Sequence, residues 1–185
     1  RYGTVTGVQT CALPIYRKIK LESMFPNNQF INTGFSKLDP ILNGTAEKID
    51  IQKIGLSNKK KTILYAPTFY PSSIERFPKN FPKILNKFNI IIKPHFFTHS
   101  KQKYKNQQKI LKFWGQHENV FVTSPEAFSL VPFLSTADIM ISDASSAVLE
   151  FAAIGKPVIV CKFLKLRWNY RGIFSFRFKQ RRSEE

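Results

Sequence analysis

Short runs of consecutive apolar residues recur along the chain, each followed by a polar turn and then by a segment with helical spacing. They include Ile63, Leu64, Tyr65 and Ala66, then Ile90, Ile91 and Ile92, then Val120, Phe121 and Val122. Ile139, Met140 and Ile141 form another, and Val158, Ile159 and Val160 the last. The runs are too short for helices and lack the alternation of a half-exposed strand, so they predict fully buried strands over 61–66, 89–93, 120–122, 138–141 and 157–161. A further short strand is expected at 30–34, ending at Gly34. Helices are expected over 45–54 with Gly55 as the stop, within 71–88 around Pro78 and Pro82, and over 100–114, 129–135 and 145–154. Residues 36–42 read as a turn at Asp39 and Pro40, and 16–28 as an irregular basic segment. Strands alternating with helices imply an α/β fold with a parallel sheet covered on both faces.

The two ends do not share this pattern. Residues 5–15 resemble an in-frame translation of a short-read sequencing adapter, and 182–185 resemble the start of the reverse adapter. Residues 1–15 and 182–185 are therefore set outside the fold reading, which leaves 16–181 as the native insert. Within it, 16–46 reads as an inter-domain segment and domain entry, and 47–181 as one truncated domain.

Composition narrows the class. Hydrophobic content of 43% and charged content of 22% fit a globular chain. No apolar run reaches the roughly 18 residues that span a membrane. Cys161 is the one cysteine outside the adapter-like ends and reads as a small core residue. The chain carries 29 basic and 12 acidic residues, a net charge of +17. This favours an anionic partner, with basic clusters at 59–61, 101–112 and 162–181. Each cluster alone is also what a solvated face looks like.

The candidate chemistry centres on Ser142, Asp143, Ala144, Ser145 and Ser146, between a buried strand and the helix that ends at Gly155. A helix start has unpaired N–H groups and a partial positive charge, and open α/β sheets bind ligands at the carboxyl ends of their strands. A phosphate or nucleotide-diphosphate ligand follows from that placement. The alternative for the two serines is an N-cap without a ligand. There is no G-x-G-x-x-G, no P-loop, no metal-ligand spacing and no Ser-His-Asp arrangement.

Four segments match one family in order. They are Thr33-Gly34 with Asp39; Ile63 to Thr68, ending Y-A-P-T; Ser142, Asp143, Ser145 and Ser146 with Glu150 and Phe151; and Tyr170-Arg171-Gly172. Together they resemble the CDP-glycerol glycerophosphotransferase family of teichoic-acid primases and polymerases. The resemblance implies a Rossmann-like parallel sheet with helices on both faces, one half of a GT-B glycosyltransferase-type fold, here the C-terminal, donor-binding half. The other half, with the general base, would lie outside this chain. It implies transfer of glycerol phosphate from CDP-glycerol, or ribitol phosphate from CDP-ribitol, to a polyanionic cell-envelope polymer, at the inner face of the membrane and without a cofactor.

By the same resemblance His95 and Arg171 are the catalytic candidates, and Thr68, Ser142, Asp143, Ser145, Ser146 and Glu150 the donor-binding ones, with no metal site. Ala144 stands where the family often has an aromatic residue, and Pro94 precedes His95 where the family often has proline after the histidine. Each candidate has a plainer alternative. His95 would be structural, Glu150 a solvated helix residue, Arg171 a partner of Trp168 or Tyr170, and Thr68 a turn former. His99 and His117 read as surface residues. The rival enzyme is a UDP-N-acetylglucosamine 2-epimerase-like or other nucleotide-sugar GT-B protein, whose S-D-S-G-G segment 142–157 resembles less closely. A nucleic-acid module rests on charge alone, because the phenylalanines sit at core-like positions. An anionic membrane surface is a further possible partner of the lysine-rich helix at 100–114.

Overall fold

The computed structural model of the chain describes residues 22–29, 35–143 and 145–162. Its frame is a five-stranded, wholly parallel sheet in the order β3-β2-β1-β4-β5. The strands are β1 (Thr62–Ala66), β2 (Asn89–Ile92), β3 (Val120–Val122), β4 (Ile139–Ser142) and β5 (Val158–Val160). Every expected strand in the described residues is present to within about one residue at each end. The strand expected at 30–34 lies outside the described residues.

Successive side chains of a strand point to opposite faces, and here both faces are dry. Leu64 and Ala66 of β1, Ile91 of β2 and Met140 of β4 enter one core, with Phe133, Leu134, Ala147 and Phe151. Ile63 and Tyr65, Ile90 and Ile92, and Ile141 enter the other, with Ile74, Phe81, Leu111 and Trp114. This two-sided burial explains why the strands are continuous apolar runs. It also bears out the α/β reading with helices on both faces.

The helices are α1 (Asp39–Leu42), α2 (Phe81–Ile84), α3 (Phe96–Ser100), α4 (Lys105–Trp114), α5 (Val131–Thr136) and α6 (Ser146–Ala153). Two expectations fail. The turn at 36–42 is helical, with a 3-10 turn (Ser36–Leu38) running into α1. Pro40 falls in the first helical turn, where its missing N–H costs nothing. The helix expected at 45–54 is absent. Instead the Asp50 carboxylate takes the N–H groups of Gln52 and Lys53 at 3.1 and 3.2 Å, and the Ile49 N–H bonds to the Thr136 hydroxyl at 2.7 Å. Local side-chain acceptors outcompete the helix ladder there. Gly55 still ends the segment, at φ +79°.

The expected 100–114 helix is divided into α3, a 3-10 turn (Gln102–Tyr104) and α4. The α4 stripe of Gln107, Leu111 and Trp114 is buried, while Lys105, Lys109 and Lys112 face solvent.

From β1 the chain winds outward to β2 and β3, then returns past β1 to form β4 on its other side. The winding therefore reverses between β1 and β4, and a crevice opens beyond their carboxyl ends.

Candidate functional site

A cleft of about 290 Å³ occupies that crevice. Pro67 and Thr68 enter it from the end of β1, Lys93, Pro94 and His95 from the end of β2, and Ser145 and Ser146 from the start of α6. The topology thus gathers two strand ends and one helix start on a single space.

The helix start is uncapped. Ser145 is extended (φ −125°, ψ 166°) and its side chain makes no capping bond. Its hydroxyl instead lies 3.1 Å from that of Ser142. A serine at this position ordinarily satisfies one of the first N–H groups itself. Here the hydroxyl is turned aside, which leaves the first turn of α6 to the cleft.

His95 caps α3 from the other side. Its Nδ1 accepts the Phe97 N–H at 3.1 Å, so in the neutral ring the proton sits on Nε2. Burial, and next the Lys93 charge, hold the imidazole below its ordinary value. Its ring packs against those of Phe69 and Phe97, with centroids 4.7 and 5.0 Å away. His95 is therefore a neutral Nε2–H donor at the rim of the cleft.

Residues 9–165 match the family described as CDP-Glycerol:Poly(glycerophosphate) glycerophosphotransferase. The chain belongs to that family. It is 26% identical over 155 residues to the teichoic acid glycerol-phosphate primase of Bacillus subtilis (strain 168), covering 80% of this chain and 37% of the primase. It is 24% identical over 175 residues to the teichoic acid poly(glycerol phosphate) polymerase of Bacillus spizizenii (strain ATCC 23059 / NRRL B-14472 / W23), covering 86% of this chain and 39% of the polymerase. The chain thus spans under two-fifths of the length of either relative. A solved structure of the wall teichoic acid polymerase TagF is similar over 66% of this chain and 27% of its own, at 19% identity and a TM-score of 0.42.

In this glycerophosphotransferase-family chain the other site candidates divide into two groups. Thr68, His95, Ser145, Ser146 and Glu150 line the cleft. Ser142 and Asp143 lie behind it, fully buried. The Ser142 hydroxyl donates to the Ala66 carbonyl at 2.6 Å, which joins the ends of β1 and β4. One Asp143 oxygen accepts the N–H groups of Thr68 and Ser73 at 2.8 and 3.3 Å, and the Thr68 hydroxyl lies 3.2 Å from it. That hydroxyl also donates to Pro71 O at 2.7 Å. Thr68 and Asp143 thus lock the loop after β1. Burial raises the Asp143 carboxyl above its ordinary value against the bonds from Ser73 and Thr68, and its second oxygen has no partner among the described residues. Arg171 lies outside the described residues.

Glu150 is not solvated. Its side chain is 2% exposed and pairs with the Lys37 ammonium at 2.7 Å. Lys37 and Lys93 both line the cleft and neither was singled out by sequence. Lys93 donates to the Ala127 carbonyl and lies 5.3 Å above the Phe133 ring. Burial, and next the Lys37 charge, hold it below its ordinary value.

His99 corrects another expectation: it is half-buried, lines the cleft, and its Nε2 has no partner among the described residues. The turn of α3 over the strand ends carries it inward. The phenylalanines are not all in the core either. Phe96 and Phe128 are 48% and 78% exposed at the cleft, with ring centroids 6.1 Å apart. Cys161 is buried as expected, and burial, with Asp143 second, pushes its thiol up to about 11. Among the described residues no three His, Cys, Asp or Glu side chains are grouped to hold a metal, and no helix is long and apolar enough to cross a membrane.

Proposed function

We infer that this domain binds the diphosphate of a CDP-activated alditol, CDP-glycerol or its ribitol counterpart, as the donor-binding half of a two-domain GT-B transferase. The observation that carries the reading is the uncapped start of α6, which faces the same cleft as the Nε2–H of His95 and the Lys93 ammonium. Helix N–H groups, serine hydroxyls, a neutral imidazole donor and ammonium groups are a donor set for an anion with many oxygens. The family match and the likeness to a glycerol-phosphate primase and a poly(glycerol phosphate) polymerase support glycerol phosphate as the unit transferred.

The reaction of the longer protein is then a phosphoryl transfer in teichoic acid synthesis. An acceptor hydroxyl oxygen forms a bond to the β-phosphorus, and the bond from that phosphorus to the bridging oxygen breaks. CMP leaves with the electron pair, and the hydroxyl proton passes to a base. His95 is not that base, because its Nδ1 is held by the Phe97 N–H and its Nε2 carries the proton. Its role is to hold negative charge on the phosphates as the bond breaks, beside the start of α6. Ser142 and Asp143 act one step back by fixing Ser145 and the loop after β1.

A polyanionic polymer as acceptor, and a position against the anionic inner leaflet, are supported by the net charge of +17 and by the outward lysines of α4.

Calorimetric titration with CDP-glycerol, CMP and UDP-N-acetylglucosamine tests the reading. Saturable, cytidine-selective binding is expected. Preference for the uridine ligand would move the domain to the epimerase-like class.

A further inference from the structure

Lys37 and Lys93 reach the cleft from distant parts of the chain. Lys37 comes from the 3-10 turn (Ser36–Leu38) that packs beside α6, and Lys93 from the end of β2. Among the residues lining the cleft the one carboxylate is Glu150, and it is spent on Lys37 at 2.7 Å. The pair is lopsided: the Glu150 side chain is 2% exposed, whereas that of Lys37 is 26% exposed. The ammonium thus bridges from a buried acid to open space. Among the described residues it makes one hydrogen bond, to Glu150, out of the three an ammonium can donate. Lys93 is likewise partly engaged, through the Ala127 carbonyl. Two ammonium groups against one carboxylate leave the cleft with unbalanced positive charge. Lys93 feels that charge, since Lys37 adds to burial in disfavouring its ammonium form. Such an arrangement is costly when empty and is relieved by a bound anion.

We propose that Lys37 and Lys93 form a two-ammonium clamp on a diphosphate in the cleft, Lys37 keeping Glu150 on one side while its free N–H groups take phosphate oxygens on the other. The proposal rests on the diphosphate reading of the cleft but not on which nucleoside is attached. It adds Lys37 to the serines, His95 and Lys93, and pairs the two ammonium groups on one ligand. It also gives Glu150 a task as the anchor that sets the Lys37 ammonium in place.

The full chain is titrated with inorganic pyrophosphate in a calorimeter, as wild type and as Lys37→Met, Lys93→Met, Lys37→Arg and the double variant Lys37→Met/Glu150→Gln. Circular dichroism establishes that each variant is folded. Each lost charge-assisted bond is expected to weaken pyrophosphate binding by roughly tenfold or more. The double variant carries no unpaired buried acid, so it separates the clamp from a counter-ion role. Folded but still weak binding in the double variant, with affinity kept in Lys37→Arg, supports the clamp. Wild-type affinity in the double variant overturns it, as does failure of the wild type to bind pyrophosphate. A wild type that binds pyrophosphate through both lysines yet shows no preference for CDP-glycerol keeps the clamp and rejects the donor assignment.

Discussion

One oxygen of Asp143 holds the N–H of Thr68 at 2.8 Å, so the residue after β4 fixes the loop after β1 across the point where the sheet reverses. The same oxygen takes the Ser73 N–H, whose side chain in turn meets the Tyr65 phenol at 2.7 Å. A buried acceptor shared by two N–H groups is expensive to remove, because each donor is then left dry. Asp143→Ala should destabilise the domain by about 2–4 kcal/mol, read from urea denaturation midpoints. A loss below about 0.5 kcal/mol would mean that water or a neighbouring group replaces the carboxylate.

Asp143 also imposes a pH signature. Its folded carboxyl is raised, chiefly by burial, above the ordinary 3.8. Between those values the native state holds the proton more tightly than the unfolded chain, so its contribution to stability falls as pH rises from 3.8 through the folded value. Asp143→Asn removes that titrating group. The stability of wild type relative to Asp143→Asn should therefore fall with rising pH across that window, as measured by thermal unfolding. A constant gap would show that the carboxyl titrates normally.

His95 separates binding from folding. In His95→Asn the amide oxygen can still accept the Phe97 N–H and cap α3, while the Nε2–H donor is gone. Stability should change by under about 1 kcal/mol, while affinity for CDP-glycerol falls by roughly tenfold. Equal loss of both would make His95 a structural cap.

The serines invert an ordinary rule. Serine to alanine at an N-cap costs about 0.5–2 kcal/mol when the hydroxyl caps the helix. Ser145 makes no such bond, so Ser145→Ala/Ser146→Ala should leave the melting temperature nearly unchanged while weakening CDP-glycerol binding. A marked drop in melting temperature with binding retained would return these serines to a capping role.

Lys156 carries a purely structural prediction. Its ammonium donates to the carbonyls of Leu134, Ser135 and Ala137 at 2.9, 2.9 and 2.7 Å, which ties off the end of α5. Lys156→Met should cost about 2 kcal/mol in urea denaturation without changing ligand affinity. Loss of affinity at unchanged stability would contradict this.

Much of this was legible along the chain, and the exceptions share a cause. The strands announce themselves because both sheet faces are buried, so Ile90, Ile91 and Ile92 can all be apolar. Ser145, Ser146 and His95 were visible because each follows a strand at its carboxyl end, a local signal. The Lys37–Glu150 pair joins residues 113 positions apart, and no local pattern marks Lys37 within a chain of 29 basic residues. Lys93 was read as the end of a strand, which it borders, and its place in the cleft comes from the sheet order. The helix expected at 45–54 failed because Asp50 and Thr136 supplied side-chain partners to its backbone, one of them 87 positions further along the chain. Helical spacing alone does not show such competitors.

The most direct test asks where the diphosphate sits. Amide chemical shifts of the full chain, followed by NMR during titration with CDP-glycerol, report on individual N–H groups. The largest saturable shifts should fall on Ser146 and Ala147 at the start of α6, with His95 Nε2 moving in step. Saturable binding with those resonances unmoved, and the large shifts elsewhere, would contradict the account.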